Sequence, residues 1–167
     1  MQHTTLSQSF TSLITWADDN HLSEVVFPRD IERLLSLKKL NLHNQNLTSI
    51  PPEIGLLKNL KELYLSYNQL ISLPKEVGEL KSLEVLWIMG NKLSTLPKEL
   101  YLLPLLRDII AFDNQITNIP KDLFTMPCLE SIFLHNNALG ALAMDEDFVL
   151  ELKKYEHTVY NQNISEV

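Results

Sequence analysis

The side chains that could perform acid–base or metal chemistry are scattered along this chain. It contains five histidines and a single cysteine, Cys128. The histidines are His3, His21, His43, His135 and His157. His43 and His135 share a slot in the repeat described below, but four strands apart, which is roughly 19 Å at about 4.8 Å per strand. The spacing of the histidines therefore predicts no metal site.

One pair of carboxylates, Glu62 and Asp108, has a spacing that catalysis uses. Two strands apart they would be separated by roughly 10 Å, at the far edge of the range for inverting glycoside hydrolysis. On an open sheet both carboxylates would remain solvated, so this pair does not predict catalysis. Cys128 has no histidine three or four residues away, and the glycines are isolated rather than gathered into a phosphate-binding loop. We therefore expect a protein that is not an enzyme and has no cofactor.

These residues lie within a sequence repeat that has a period of 23 residues. Its clearest copy is 60–82, LKELYLSYNQLISLPKEVGELKS, and the same apolar slots recur in 83–105. The copies begin at Leu37, Leu60, Leu83, Leu106 and Leu129. Self-similarity at such a fixed period predicts a solenoid in which each repeat stacks on the next.

Each half of the repeat predicts a different element. In L-x-x-L-x-L, apolar residues such as Leu63 and Leu65 alternate with polar or variable ones, which predicts a short strand with one buried face. In P-x-x-V-x-x-L, apolar residues recur every three positions, which suits a short 3₁₀ or α-helical return. Because one repeat cannot bury its own apolar face, the strands should align into a parallel sheet.

Asparagine occupies one slot just after the strand in four copies: Asn68, Asn91, Asn114 and Asn137. The chain bends inward there, and an amide side chain can satisfy both N–H and C=O groups of a buried backbone. We interpret these residues as a structural hydrogen-bonded ladder rather than a ligand site. Gln45 takes the slot in the first copy, which predicts a looser ladder at that end.

The repeat resembles the 23-residue form of the leucine-rich repeat family, L-x-x-L-x-L-x-x-N-x-L-x-x-L-P-x-x-I-x-x-L-x-x. The resemblance covers five copies, residues 37–142. It implies an α/β leucine-rich-repeat solenoid with a curved parallel sheet on its concave face, and that face usually binds other proteins.

The flanking segments predict helical caps at both ends of a single domain. Residues 1–36 read as an amphipathic capping helix plus a half repeat, because Phe27, Pro28, Ile31 and Leu34 fall on the slots of a return segment. Residues 143–157 predict a C-terminal capping helix, with acidic residues at its start and lysines near its end. Residues 158–167 have no periodicity and predict a flexible tail.

Charge and cysteine content limit the possible partners and compartments. The net charge is −7 and no run of lysine or arginine is present, so nucleic acid and membrane surfaces are not expected partners. A lone cysteine fits a reducing compartment, which favours a cytoplasmic protein. The Ser, Thr and Gln near the N-terminus leave open that the chain is a translocated bacterial effector. The start of the chain does not resemble a secretory signal, and no stretch is long and apolar enough to span a membrane.

The strand residues that point away from the core form two columns on the concave face. The first column is Asn41, Tyr64, Trp87, Ile110 and Phe133. The second column is His43, Ser66, Met89, Phe112 and His135, with Tyr67 beside it. From the second repeat onward these positions are largely aromatic or apolar, where solvent would favour polar residues. The pattern predicts a protein-binding site centred on Trp87.

Charged residues should border this site. We expect Glu62, Asp108, Asp113 and Arg107 to form a mainly acidic rim. Two other interpretations stay open: aromatic packing that only stiffens the sheet, and self-association through the same face. A small-molecule or carbohydrate binder is the remaining alternative, although no pocket is evident in the sequence.

Overall fold

A computed structural model of the protein describes residues 2–119 and 121–139. Over these residues the chain forms two α-helices, α1 (Gln2–Asp19) and α2 (Ile31–Ser36). The five strands are β1 (Lys39–Asn41), β2 (Glu62–Tyr64), β3 (Val85–Trp87), β4 (Asp108–Ile110) and β5 (Ser131–Phe133). The four 3₁₀ helices are η1 (Pro52–Leu56), η2 (Lys75–Glu79), η3 (Lys98–Leu102) and η4 (Lys121–Thr125). The predicted capping helix at 143–157 and the tail at 158–167 lie outside the described residues.

The strands form one parallel sheet in the order β1-β2-β3-β4-β5, and the predicted fold class is confirmed. Each strand pairs with the next at an offset of one repeat, so Leu40, Leu63, Leu86, Ile109 and Ile132 lie in line across the sheet. These central residues are all buried, whereas the residues on either side of them are half-buried or exposed. The register follows from the fixed period, because a shift of one residue would turn every apolar side chain toward solvent.

The 3₁₀ helices return the chain on the opposite side of the core from the sheet, and neighbouring ones pack very closely. A Cβ atom built on Gly78 would lie 2.5 Å from the backbone oxygen of Glu99, and one on Gly55 would lie 2.8 Å from that of Glu76. These two glycines permit the close stacking of η1, η2 and η3.

The helix α1 covers the first end of the repeat core. Phe10, Leu13 and Ala17 are fully buried, and the ring of Trp16 packs edge-on against Phe27 with centroids 5.8 Å apart. Sequence alone predicts this helix from the spacing of its apolar residues, which place one stripe against the core.

Arg29 fastens α1 to the segment that follows it. Its Nε donates to Asp18 Oδ1 at 2.7 Å, and its Nη2 donates to the Leu22 carbonyl at 2.6 Å. A third bond runs from Nη1 to the Phe27 carbonyl. One guanidinium thus satisfies two backbone carbonyls and a carboxylate at the corner between α1 and the half repeat.

The asparagine side chains repeat one set of hydrogen bonds along the solenoid. Asn91 Oδ1 accepts from the Leu70 N–H at 3.0 Å, and Asn91 Nδ2 donates to the carbonyls of Leu65 and Ile88, both at 3.0 Å. Asn68 makes the equivalent bonds one repeat earlier, and Asn114 and Asn137 make them one and two repeats later. Each amide therefore joins its own bend to the preceding repeat.

Gln45 behaves differently because no strand precedes β1. Its backbone N–H still donates to Asn68 Oδ1 at 3.0 Å, but its side-chain Nε2 donates to the His43 carbonyl at 3.0 Å. The backbone N–H of His43 donates to Asn41 Oδ1 at 3.0 Å. These two polar side chains thus satisfy backbone groups at an edge strand, where unpaired groups invite association with other chains. Gln45 therefore replaces asparagine at the repeat that forms the edge of the sheet, where its side chain bonds within its own repeat.

Candidate functional site

The concave face carries the first predicted column in an unbroken line. The strand register aligns Asn41, Tyr64, Trp87, Ile110 and Phe133 as direct neighbours across the sheet. Asn41 is exposed and the other four are half-buried. The sheet therefore presents one polar position followed by four aromatic or aliphatic ones.

Tyr64 and Trp87 pack against each other at the centre of this column. Their ring centroids are 4.5 Å apart with the planes tilted by 59°. The Tyr64 hydroxyl donates to Glu62 Oε2 at 2.8 Å, and the Lys39 ammonium lies 4.7 Å from the Tyr64 ring centroid. Tyr64 is thus held on both its polar and its aromatic side.

Glu62 is compensated by the same neighbours. Its pKa is lowered, first because the Tyr64 hydroxyl donates to it and then because Lys39 does, at an Nζ–Oε2 distance of 3.0 Å. The pKa of Lys39 is raised, chiefly by this contact with Glu62. The pKa of Tyr64 is also raised, first by burial and then by the adjacent carboxylate. The charge of Glu62 is therefore already balanced by Lys39, so this residue would attract a cation of a partner less than the sequence suggests.

The second column is less uniform than the first. Phe112 and His135 stack face to face, with ring centroids 4.3 Å apart and planes 13° from parallel. Met89 is half-buried, and His43 is exposed with its ring 5.2 Å from that of Tyr67. Ser66, by contrast, is only 1% exposed, so it contributes almost nothing to the surface that a partner would meet.

Tyr67 and Gly90 form a pair that sequence reasoning did not recognise. The third residue after each strand has a positive φ. Tyr67 occupies this position after β2 with a φ of 55°, an unusual value for a bulky residue. In the next repeat Gly90 has φ 66°, and a Cβ atom added to it would lie 2.7 Å from the Tyr67 ring. Gly90 therefore leaves room for the ring, and Tyr67 remains 46% exposed just beyond the C-terminal end of β2. The sequence does contain a sign of this pair, because glycine occupies this position in only one repeat, the one that follows Tyr67.

The charges around the columns form an alternating row rather than a mainly acidic rim. Lys61 and Glu84 pair at 2.6 Å, and Arg107 lies between Glu84 and Glu130 at 3.8 and 3.9 Å. Asp108 and Asp113 contact neutral donors: Asp108 Oδ1 accepts from Ser131 Oγ at 2.5 Å, and Asp113 Oδ1 accepts from Asn136 Nδ2 at 2.7 Å. These two residues carry the acidic character that remains.

The possible catalytic and metal groups stay dispersed in the described part of the chain. Glu62 and Asp108 each pair with Val85 on the strand between them, so a whole strand separates them. Within residues 2–119 and 121–139, no group of three His, Cys, Asp or Glu side chains is placed to hold a metal ion. None of the helices in those ranges is long and apolar enough to cross a membrane.

Comparison with known proteins agrees with the repeat and the fold. The family model described as "Leucine rich repeat" matches residues 35–93. The solved structure of a leucine-rich repeat protein from Leptospira interrogans is 34% identical in sequence, with a TM-score of 0.67, and the match covers 81% of this chain. The 23-residue repeats of this chain are therefore leucine-rich repeats. Proteins of this fold generally bind other proteins, using the concave surface that the stacked repeats create.

Two internalins of Listeria monocytogenes are also similar. Internalin C2 is 29% identical with a TM-score of 0.59 over 68% of this chain, and the internalin inlF is 26% identical with a TM-score of 0.62 over 79%. The chain spans only 33% of the Leptospira protein, 48% of internalin C2 and 38% of inlF. No curated protein sequence matches the chain.

Proposed function

We propose that this protein binds a partner protein through the concave aromatic face, defined here as Tyr64, Tyr67, Trp87, Met89, Ile110, Phe112 and Phe133. The observation that carries the proposal is the in-register row from Tyr64 to Phe133 on the solvent side of the sheet. Apolar side chains at those positions do not fill the core, because the alternate residues of each strand occupy it.

The size of the face suits an interaction site. Adjacent strands lie about 4.8 Å apart, so the four strands β2–β5 span roughly 15 Å. A contiguous apolar patch of a few hundred Å² on a monomer usually marks a functional surface. Aromatic residues and methionine are also enriched at the centres of protein interfaces. Trp87 lies near the centre of the row and is the expected energetic centre.

Packing between rings is the competing account, and it explains part of the face. Tyr64 stacks on Trp87 and Phe112 stacks on His135, so these contacts do stiffen the sheet. Tyr67 packs edge-on against His43 and over Gly90, yet it remains 46% exposed, so ring packing leaves much of its surface open to a partner. A large exposed aromatic ring beside the apolar row favours a binding role.

The proposal includes a cytoplasmic location, which the single Cys128 supports. A translocated effector would use the same face on a host protein. The effector and cytoplasmic accounts differ in where the partner resides and not in which residues bind it.

The test is affinity capture from a native lysate with a double variant, Tyr64→Ala with Trp87→Ala. Truncating an aromatic side chain at an interface centre costs about 2 kcal/mol or more, or about thirtyfold in affinity. We therefore expect specific partners captured by the wild-type protein to be lost. The control is Ile71→Ala with Leu102→Ala, which removes two side chains that are 64% and 66% exposed away from the strands; it should retain them.

The melting temperature separates binding from packing. The double variant should melt only slightly below the wild-type protein, because both rings are half-buried and lie outside the leucine core. Undiminished capture together with a large fall in melting temperature would contradict the proposal and support the packing account.

A further inference from the structure

We infer that the segment bound by the concave aromatic face is a basic–apolar peptide segment of the partner, in which a lysine or arginine that contacts Asp108 or Asp113 flanks an aliphatic or aromatic side chain. This inference rests on the proposed function and adds the chemistry of the partner. The inference depends on a difference among the charged residues of the face: some already have a counter-charge and others do not.

The charges at the β1–β3 side of the face are already neutralised. Glu62 is paired with Lys39 at 3.0 Å and is also bonded by the Tyr64 hydroxyl. Just before the N-terminal ends of β2 and β3, Lys61 pairs with Glu84, which also lies near Arg107. A partner would gain little by presenting a charge there, because it would have to displace an existing one.

Asp108 and Asp113, at either end of the β4 segment, have no such counter-charge. Their hydrogen-bond donors are a serine hydroxyl and an asparagine amide, which orient a carboxylate but do not cancel its charge. Among the lysines and arginines whose side chains the structure describes, none forms an ion pair with either of them. Lys92 is directed instead toward Gln69 Oε1, at 3.5 Å on the side of the preceding repeat.

Two apolar residues of the face lie between these two carboxylates along the chain. Ile110 and Phe112 follow Asp108 on the same segment, and Asp113 comes directly after Phe112. Asp108 is half-buried beside them, so a partner that covered Ile110 would also remove water from its carboxylate. A desolvated carboxylate without a cation is unfavourable, whereas a matched cation adds attraction and specificity.

The same charges weigh against other occupants. A second copy of the chain would bring a net charge of −7 against another −7, and an acidic segment would face Asp108 and Asp113 directly. A purely apolar segment would leave Asp108 covered and unpaired. The basic–apolar segment is the occupant that satisfies both the rings and the carboxylates.

The test is selection of a random peptide library displayed on phage, with the full chain as bait. Peptides that bind the wild-type protein but not Trp87→Ala define ligands of the face. We expect them to be enriched in lysine or arginine adjacent to an aliphatic or aromatic residue. Synthetic copies should bind about three- to tenfold more weakly to Asp108→Asn with Asp113→Asn, and this difference should shrink at high salt.

Both substitutions preserve shape and keep one oxygen that can accept from Ser131 or Asn136, so a loss of affinity would report chiefly on charge. Asp122→Asn with Glu24→Gln, an equal change of two charges at exposed positions outside the strands, is the matched control and should leave the affinity unchanged. Peptides that depend on Trp87 but show no basic enrichment, or bind the aspartate variant equally well, would overturn the inference and leave the proposed function standing. A selection that yields no Trp87-dependent peptide would count against both.

Discussion

Loss of α1 is expected to leave the protein unable to remain a folded monomer. Phe10, Leu13 and Ala17 fill the end of the core, and their removal exposes Phe27 and Leu34, which are fully buried in the intact chain. Burial of each large apolar side chain is worth about 1.5–3 kcal/mol, and a domain has only about 5–15 kcal/mol of net stability. A variant lacking residues 2–19 should aggregate or elute as a larger species in size-exclusion chromatography.

Point substitutions in α1 make the same prediction without shortening the chain. Leu13→Asp places a charge in a position that is 0% exposed and should lower the melting temperature sharply. Ser12→Asp adds the same charge one residue away on the exposed side of the helix and should have little effect. If the deletion variant stays monomeric and melts like the full chain, α1 has no capping role, and the translocation-signal interpretation of this segment gains support.

Replacement of Asn91 by alanine should produce the second large loss of stability. It leaves the buried Leu70 N–H without its acceptor, and it removes one of the two asparagine amides that donate to each of the Leu65 and Ile88 carbonyls, which keep Asn68 and Asn114. An unsatisfied buried group costs about 1–3 kcal/mol, so we expect the free energy of unfolding to fall by about 2 kcal/mol or more. Because the bonds to Leu65 and Leu70 cross between repeats, the loss should also reduce the cooperativity of unfolding.

Chemical denaturation of Asn91→Ala beside two control variants checks this expectation. Asn118→Ala removes an asparagine that is exposed, and Lys92→Ala changes the exposed neighbour of Asn91. Both controls should unfold close to the wild-type midpoint. Equal midpoints for all three variants would show that the amide ladder does not stabilise the solenoid.

The fold could be predicted from the sequence because a fixed period determines the register. Once Leu63 and Leu86 occupy the same slot, the pairing of β2 with β3 and the inward direction of both side chains follow. The ladder slot is predictable for the same reason, since a residue 23 positions away lies next to its equivalent. The alignment of the concave column from Tyr64 to Phe133 follows from this arithmetic as well.

The details of the face could not be predicted, because they depend on how individual side chains pack. A column position is expected to be exposed, yet Ser66 is only 1% exposed. The rim is acidic by composition, yet Glu62 is neutralised by Lys39 from the preceding strand. The positive φ of Tyr67 and the role of Gly90 beneath its ring require the backbone conformation of two successive bends.

Site-specific photo-cross-linking tests the central claim most directly, because it reports which surface touches the partner. A benzophenone amino acid at Ile110, in the middle of the concave face, should form a covalent adduct with the partner in native lysate or with the selected basic–apolar peptide. The same group at Ile71, which is exposed outside the strands, should form none. Adducts from Ile71 with none from Ile110 would contradict the account, because the partner would then bind away from the aromatic sheet.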